Sequence, residues 1–241
     1  MTTDADAESA KDDYDQYADL GATTQNAMEI AETSMEIVRQ FVPDETLADR
    51  VRQKSVHSMG DIEFQHLLRF TGKNEDEPIR AGARAVLDEA TIVTDITMAK
   101  AGVTSRGHSC EKRKAIGSGA ELAKEAGMTR TAASMLELDR EGAFENAIVT
   151  VGNAPTAALA LADCIEQGTR PAVVVATPVG FVKAEESRKR IREVCTERGV
   201  PAITNVGKRG GSGLAAALTN ELIHVASDAR DGEVSIEAGA D

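Results

Sequence analysis

The sequence predicts a single α/β domain, a Rossmann-like three-layer α/β/α fold with a mainly parallel sheet, preceded by an N-terminal helical segment. Three strand-turn-helix units follow one another, with strands at 147–151, 172–176 and 202–206 and helices at 157–166, 184–198 and 214–225. Strands that are apolar on both faces are typical of a parallel sheet covered by helices on both sides. Aromatic residues are only 3% of the 241-residue chain, so aliphatic side chains must form the core. No Pro-, Gly- or Ser-rich linker divides the chain, which favours one domain.

The composition restricts the partners of the protein and its setting. The chain has 40 acidic and 27 basic residues, and its formal net charge is -13. This charge repels nucleic acid and anionic membranes, so we expect neither as a partner. The acidic start of the chain does not resemble a signal peptide, and no apolar run reaches the ~18 residues of a membrane span. We therefore expect a cytoplasmic protein. We favour a halophilic one over an ordinary acidic cytosolic protein, because high salt screens such charge.

Both ends of the chain are acidic. Residues 1–22 contain seven acids, one lysine and few large apolar residues, which predicts a disordered tail. We expect the domain to span 23–227 and a loose acidic tail to follow at 228–241. The domain begins with a helix that contains Ser34, a residue that is either simply tolerated there or faces a ligand. The predicted apolar face of this helix contains Met28, Ala31, Met35 and Val38, widened by Ile30, Ile37 and Phe41.

The stretch KSVHSMGD at 54–61 is the first candidate site, because it holds one of only four histidines. The start signal at 43–45 and the stop at Gly60 predict a helix with His57 in its last turn. Unpaired carbonyls at a helix end favour imidazolium, so we expect the pKa of His57 to rise above about 6.5 and to make it a proton donor near neutral pH. The alternative is a histidine that only caps the helix-end carbonyls.

Beyond Gly60 the sequence predicts a helix over 62–70, a helix that opens at Pro78 and a strand over 91–96. Ligands of α/β proteins bind at the carboxyl ends of strands, which makes Asp95, Thr97 and Lys100 site candidates, although Asp95 could merely cap the next turn. Residues 104–119 are locally basic, and we expect either a solvated loop or a flap over an anionic substrate. The pair His108 and Cys110 does not make a metal site, and three distant cysteines support neither a disulfide framework nor a zinc motif.

Positive charge recurs at predicted helix starts. Thr129 caps a helix whose first turn contains Arg130, and a cation there opposes the helix dipole unless it serves another purpose, such as binding a carboxylate. The turns after the three strands offer backbone amides, which hold anions, and the last turn at 207–213 adds Lys208 and Arg209. Its glycine spacing is not the dinucleotide fingerprint, and no later strand could supply the ribose-binding acid. The residues alone thus indicate an anion-binding crevice with a candidate acid histidine.

Three long segments resemble one known family. They are VGNAPTAALALAD at 151–163, RPAVVVATPVGFVKAEESR at 170–188 and VPAITNVGKRGGSGLAAALTN at 200–220. Together with the helix around Ser34 and the segments VHSMGD, TDITMAKAGV and TRTAAS in the same order, they resemble the precorrin-8X methylmutase family, also called precorrin isomerase or cobalt-precorrin-8 methylmutase. The resemblance implies an isomerase of cobalamin biosynthesis that needs no cofactor. It moves a methyl group from C11 to C12 of the tetrapyrrole (cobalt-)precorrin-8, giving hydrogenobyrinate or cobyrinate.

The resemblance also implies roles for single residues. His57 is the general acid that protonates the macrocycle, and Ser34 and Arg130 face the substrate. Ala31 stands where some members have tyrosine, and Lys54 stands where arginine is expected, so two contacts of the pocket differ. The predicted substrate-binding residues are Ser34, Lys54, Asp95, Lys100, Arg130, Asn153, Lys208 and Arg209, and no metal site is predicted.

Members of the family are dimers, so we expect a homodimer that binds a tetrapyrrole polycarboxylate. The chain does not indicate whether the substrate carries cobalt. Two alternatives stay open. One is a non-catalytic carrier of the tetrapyrrole product, and the other is a nucleotide-binding enzyme that uses the 207–213 turn, which its glycine spacing disfavours.

Overall fold

The computed structural model describes residues 24–237. The predicted tail at 1–22 and the last residues, 238–241, lie outside this part of the chain. The described residues form a six-stranded sheet in the order β1-β6-β5-β4-β2-β3, in which β1 is antiparallel to β6 and the other neighbours are parallel. The strands are β1 (Leu68–Thr71), β2 (Ile92–Thr94), β3 (Lys112–Lys114), β4 (Ile148–Val151), β5 (Val173–Ala176) and β6 (Ala202–Asn205). The helices are α1 (Gln25–Arg39), α2 (Leu47–Met59), α3 (Glu77–Leu87), α4 (Thr97–Gly102), α5 (Ala120–Ala126), α6 (Arg130–Arg140), α7 (Pro155–Gln167), α8 (Ala184–Arg198) and α9 (Ser212–Arg230), with a 3-10 helix at Ile62–Leu67.

The predicted fold class is confirmed, because the sheet separates two buried apolar layers. Alternate side chains of a strand point to opposite faces. On one face, the strand residues Ile92, Ile148 and Ile203 pack with helices α3 and α9. On the other face, Val149 and Val174 pack with helices α6, α7 and α8. The three predicted strand-turn-helix units correspond to β4-α7, β5-α8 and β6-α9.

Two strands at the edges of the sheet were not predicted. The segment 62–70, predicted as one helix, is a 3-10 helix over 62–67 followed by β1, so that prediction is wrong for its last three residues. Four residues are too few to show a two-residue period, and tertiary pairing with β6 decides their conformation. At the other edge of the sheet, the basic residues of β3 pair in parallel with β2. β3 contains no apolar residue that would predict a strand.

Helix α1 packs on α2 through a narrow apolar contact. Ala31 and Val38 are buried, as predicted, and Val38 joins Val56 of α2. The predicted widening of this face is wrong, because the residues concerned are exposed at 63%, 49% and 52%. They are Ile30, Ile37 and Phe41.

The C-terminal segment is more ordered than we expected. Helix α9 continues to Arg230, and Val234 and Ile236 beyond it pack on the core. Arg80 of α3 donates hydrogen bonds to the carbonyls of Ser235 and Glu237. The expected loose tail is therefore wrong for residues 228–237.

Candidate active site

Helix α2 presents the candidate histidine at its C-terminal end. The hydroxyl of Thr46 accepts a hydrogen bond from the Asp49 amide, and the Asp49 carboxylate accepts one from the Thr46 amide. This capping box starts the helix at Leu47, a few residues after the predicted start. Gly60 ends it in the left-handed conformation, with φ 61°. His57 lies in the last turn, as predicted.

The ring of His57 is held by helix α1. Ser34 Oγ lies 3.0 Å from His57 Nδ1, which joins two residues that the resemblance places in the pocket. The amides of Gly60 and Asp61 donate to the carbonyl of Val56, and the His57 ring makes no hydrogen bond to a helix-end carbonyl within residues 24–237. The capping alternative is therefore not what the structure contains, and Nε2 has no hydrogen-bond partner within residues 24–237.

The electrostatic prediction for His57 is wrong in sign. Burial lowers the pKa of this half-buried imidazole, and the charge of Lys54, one turn earlier on α2, lowers it further. These effects outweigh the helix end, where backbone amides already satisfy the Val56 carbonyl. In the free protein the imidazole is therefore neutral near neutral pH.

Lys54 belongs to a buried charge cluster. Its Nζ lies 3.6 Å from Glu221 Oε2 on helix α9, and Arg50 Nε lies 2.9 Å from Glu221 Oε1. Burial raises the pKa of Glu221, but a hydrogen bond with His224 and the charges of Lys54 and Arg50 outweigh it and lower the pKa to about 2. Lys54 also lines a cavity of about 320 Å³ at the start of α9, together with Met98 and Ser212. Its predicted contact with substrate remains a prediction.

Asp95 is not available to a substrate. Its fully buried carboxylate accepts hydrogen bonds from the amides of the turn between β4 and α7: Gly152 at 3.2 Å, Asn153 at 2.8 Å and Ala154 at 3.0 Å. The predicted contact between Asp95 and a substrate is therefore wrong. It could not be avoided at the level of sequence, because the amides that bind Asp95 lie 57 to 59 positions away along the chain. The amides of this turn, which we expected to hold an anionic ligand, are taken by Asp95 itself.

The glycine-rich turn after β6 reaches the loop that follows His57. Arg209 forms an ion pair with Asp61, and its guanidinium lies 5.3 Å from the centre of the Phe64 ring. Lys208 Nζ lies 5.3 Å from the centre of the Phe181 ring, and that side chain is 86% exposed. The fold thus places Lys208 beside the exposed ring of Phe181. It places Arg209 beside Asp61, in the segment that contains His57.

The other predicted binding residues lie farther along the carboxyl edge of the sheet. Arg130 is exposed in the first turn of α6, whose cap Thr129 shares a 2.7 Å hydrogen bond with Thr156 in the first turn of α7. Asn153 is exposed in the turn before α7, and Lys100 is half-buried in α4. None of these three side chains has a hydrogen bond or ion pair to His57 within the described chain.

Of the basic stretch 104–119, residues 112–114 form β3, whereas most of 104–111 is an exposed loop, which is one of the two predicted alternatives. Lys112 Nζ donates to the carbonyls of Val103 and Thr104, and Arg113 pairs with Glu141 at 2.8 Å. His108 Nδ1 accepts a hydrogen bond from the Cys110 amide. Within residues 24–237, no group of three or more His, Cys, Asp or Glu side chains is arranged to hold a metal ion. No helix of this part of the chain is long and apolar enough to cross a membrane.

Comparison with known proteins assigns this arrangement to a family. The family model of precorrin-8X methylmutase matches residues 29–225, which include the sheet, His57 and Ser34. The chain belongs to the precorrin-8X methylmutase family. This is a family of isomerases, and its role is in cobalamin biosynthesis.

The similarity extends over most of the described chain. Cobalt-precorrin-8 methylmutase of Methanocaldococcus jannaschii is 34% identical over 221 residues, which cover 87% of this chain and 99% of the relative. The cobalamin biosynthesis protein CbiHC of Archaeoglobus fulgidus is 37% identical over 204 residues, 85% of this chain and 41% of that protein. A crystal structure of precorrin-8X methylmutase from Thermus thermophilus has a TM-score of 0.73 at 32% identity, and the match covers 86% of this chain and 98% of that one. The chain therefore spans less than half of the Archaeoglobus protein and nearly all of the other two.

Proposed function

We propose that the protein moves a methyl group from C11 to C12 of precorrin-8 or its cobalt complex, with His57 as the general acid. The observation that carries this proposal is the half-buried His57 ring, whose Nδ1 is bonded to Ser34 and whose Nε2 has no hydrogen-bond partner in the described chain. An imidazole fixed in this way presents one nitrogen to a bound ring in a single orientation. Its proton goes to the conjugated macrocycle, the methyl group migrates with its bonding electron pair, and the proton returns to His57, so the reaction is an isomerisation.

A general acid must carry its proton in the substrate complex. In the free protein, burial and Lys54 lower the pKa of His57. The substrate carries many carboxylates, and negative charge bound beside the imidazole raises its pKa. We therefore propose that His57 takes up its proton as the substrate binds. The pH dependence of kcat should then give a higher pKa for His57 than that of kcat/KM, because the first reports the complex and the second the free enzyme.

The carboxylates of the substrate are proposed to bind at the rim of the crevice. Arg130 at the start of α6 and the pair Lys208 and Arg209 on the turn after β6 are exposed cations on two separate elements, which suits a flat molecule with carboxylate arms in several directions. The exposed ring of Phe181 beside Lys208 offers an apolar surface to the plane of the macrocycle. Other predicted contacts are Ser34, Lys54, Lys100 and Asn153.

The test is to follow the visible spectrum of cobalt-precorrin-8 and of metal-free precorrin-8, each with wild-type protein and with His57→Ala. Methyl migration changes the conjugation of the ring, so turnover is seen directly. Conversion by the wild type and a loss of at least about a hundredfold in the variant would support the proposal. His66→Ala, which alters an exposed histidine of the 3-10 helix, is the matched control and should keep full activity.

The same experiment separates the isomerase from a non-catalytic carrier. A carrier would change the spectrum only in proportion to the protein added, equally with wild type and His57→Ala. The substrate that is converted faster would also show whether the natural one contains cobalt, which the names of the archaeal relatives support.

We also propose a cytoplasmic homodimer that works at high salt. The acidic composition supports the high-salt setting, and the exposed apolar side chains Ile30, Ile37 and Phe41 of the α1 region support association. Light scattering in molar potassium chloride should give the mass of two chains. The mass of one chain would contradict the dimer.

A further inference from the structure

We propose that Arg188 is a positioning residue that holds the glycine-rich turn after β6 with its carbonyls inward, so that Lys208 and Arg209 face the substrate. The substrate part of this inference rests on the proposed function. The inward orientation of the turn does not, because it follows from contacts within the protein. Arg188 lies in the first turns of α8 and is not one of the predicted site residues.

The guanidinium of Arg188 donates hydrogen bonds to several acceptors around it. The side chain is fully buried, and its Nη1 donates to Asn205 Oδ1 at 2.7 Å and to the carbonyl of Arg209 at 2.8 Å. Its Nη2 donates to the carbonyl of Gly207, and its Nε donates to the carbonyl of Ala184 at 3.1 Å. These contacts tie the two ends of the 207–209 segment to one rigid group on α8.

Asn205 completes the support from the last position of β6. Its fully buried side chain donates from Nδ2 to the carbonyls of Arg209 at 2.7 Å and Val206 at 3.2 Å. The carbonyl of Lys208 accepts from the amide of Gly180 at 3.2 Å. All four carbonyls of residues 206–209 are therefore occupied by donors of the protein. A turn whose carbonyls are occupied in this way presents no negative partial charge to an incoming carboxylate.

The charge of Arg188 is unusual for its burial. Within residues 24–237 it forms no ion pair with a carboxylate, and burial together with the charge of Arg192 lowers its pKa to about 10, so it stays protonated near neutral pH. A buried cation without an ion pair is costly, and here the cost is offset by acceptors placed to match the planar fork. Lysine carries the same charge but cannot reach these acceptors at once.

The other half of the turn is held without Arg188. The Gly211 amide donates to the Thr177 carbonyl at 2.7 Å, and Gly210, with φ 153°, packs its Cα so closely on that carbonyl that a side chain there would clash. Loss of Arg188 should therefore release 207–209, which carries the two cations, and leave 210–211 in place.

The test uses Arg188→Lys in the full chain, with Arg192→Lys as the matched control. Arg192 lies one turn later on α8 and donates to Thr204 Oγ1 at 3.1 Å, with no contact to the carbonyls of residues 207–209. We expect Arg188→Lys to raise KM for precorrin-8 about tenfold to a hundredfold and to leave kcat within about threefold, while Arg192→Lys changes KM less than about threefold. Adding Arg188→Lys to the double variant Lys208→Gln/Arg209→Gln should raise KM little further, because Arg188 acts through the two cations that this variant has already lost.

Hydrogen exchange provides a measurement that needs no substrate. In Arg188→Lys, the Gly180 amide, which donates to the Lys208 carbonyl, should exchange faster, while the amides of β6 and of the rest of α8 keep their protection. Asn205→Ser, the second variant, should show the same pattern if Arg188→Lys does not fold. Exchange that accelerates along all of α8, or a fall in kcat with the folded fraction at unchanged KM, would mean a purely structural role and overturn the inference. A wild-type protein that neither converts nor binds either tetrapyrrole would overturn the proposed function instead, and the exchange pattern would still decide the role of Arg188.

Discussion

Replacing Asp95 by asparagine should destabilise the turn before α7. The carboxylate of Asp95 is fully buried and accepts three backbone hydrogen bonds, from Gly152, Asn153 and Ala154. In Asp95→Asn, one carboxylate oxygen becomes an amide NH2 group, which cannot accept, so at least one amide of the turn faces another donor. A buried hydrogen bond to a charged group contributes about 1.5–3 kcal/mol, so the variant should lose about 3 kcal/mol of unfolding free energy and about 6–12 °C of Tm.

Urea unfolding and thermal scans measure this loss. Asp139→Asn is the matched control, because the Asp139 carboxylate accepts from the side chains of Thr169, at 2.6 Å, and Cys164, and from no backbone amide within residues 24–237, so the amide oxygen of asparagine can replace it. We expect the control to lose less than about 1 kcal/mol. An Asp95→Asn variant that loses no more than the control would refute the reasoning, since the carboxylate would then not be what holds the turn.

Three further predictions concern the buried cluster of Arg50, Lys54 and Glu221. Glu221→Gln removes the carboxylate that Arg50 and Lys54 share and should cost about 3–5 kcal/mol of unfolding free energy in urea, whereas an unchanged midpoint would show that the ion pairs are dispensable. Since the pKa of Glu221 is lowered from 4.5 to about 2, its contribution to wild-type stability should be complete above pH 4.5 and fade between these values on acidification. Lys54→Met removes a charge that lowers the pKa of His57, so an NMR titration of the free protein should give a higher pKa for that imidazole, and an equal or lower value would contradict the assigned cause.

The strands of the inner sheet could be predicted because their signals are local. β4, β5 and β6 are short apolar runs, each followed by a turn and a helix, and these patterns need no knowledge of distant residues. β3 was not predicted, because the sequence Lys112, Arg113 and Lys114 is typical of a solvated loop and only pairing with β2 makes it a strand.

The site was predictable in position but not in electrostatics. Gly60 marks the end of α2, so the location of His57 in the last turn could be read from the sequence. The sign of its pKa shift could not, because it depends on how deeply the ring is buried against α1. Arg188 stands in the charged run EESRKR, where nothing distinguishes a buried cation from its exposed neighbours. Asp95 was wrongly predicted to contact substrate, because the amides that bind its carboxylate lie far away along the chain.

We propose that this protein moves one methyl group with the help of His57. The most direct measurement is ¹³C NMR of precorrin-8 or its cobalt complex labelled in the methyl group at C11, in a single turnover. We expect the label to appear at C12 with wild-type protein and to stay at C11 with His57→Ala. A label that stays at C11 while wild-type protein changes the visible spectrum, or one that moves equally fast in the variant, would contradict it.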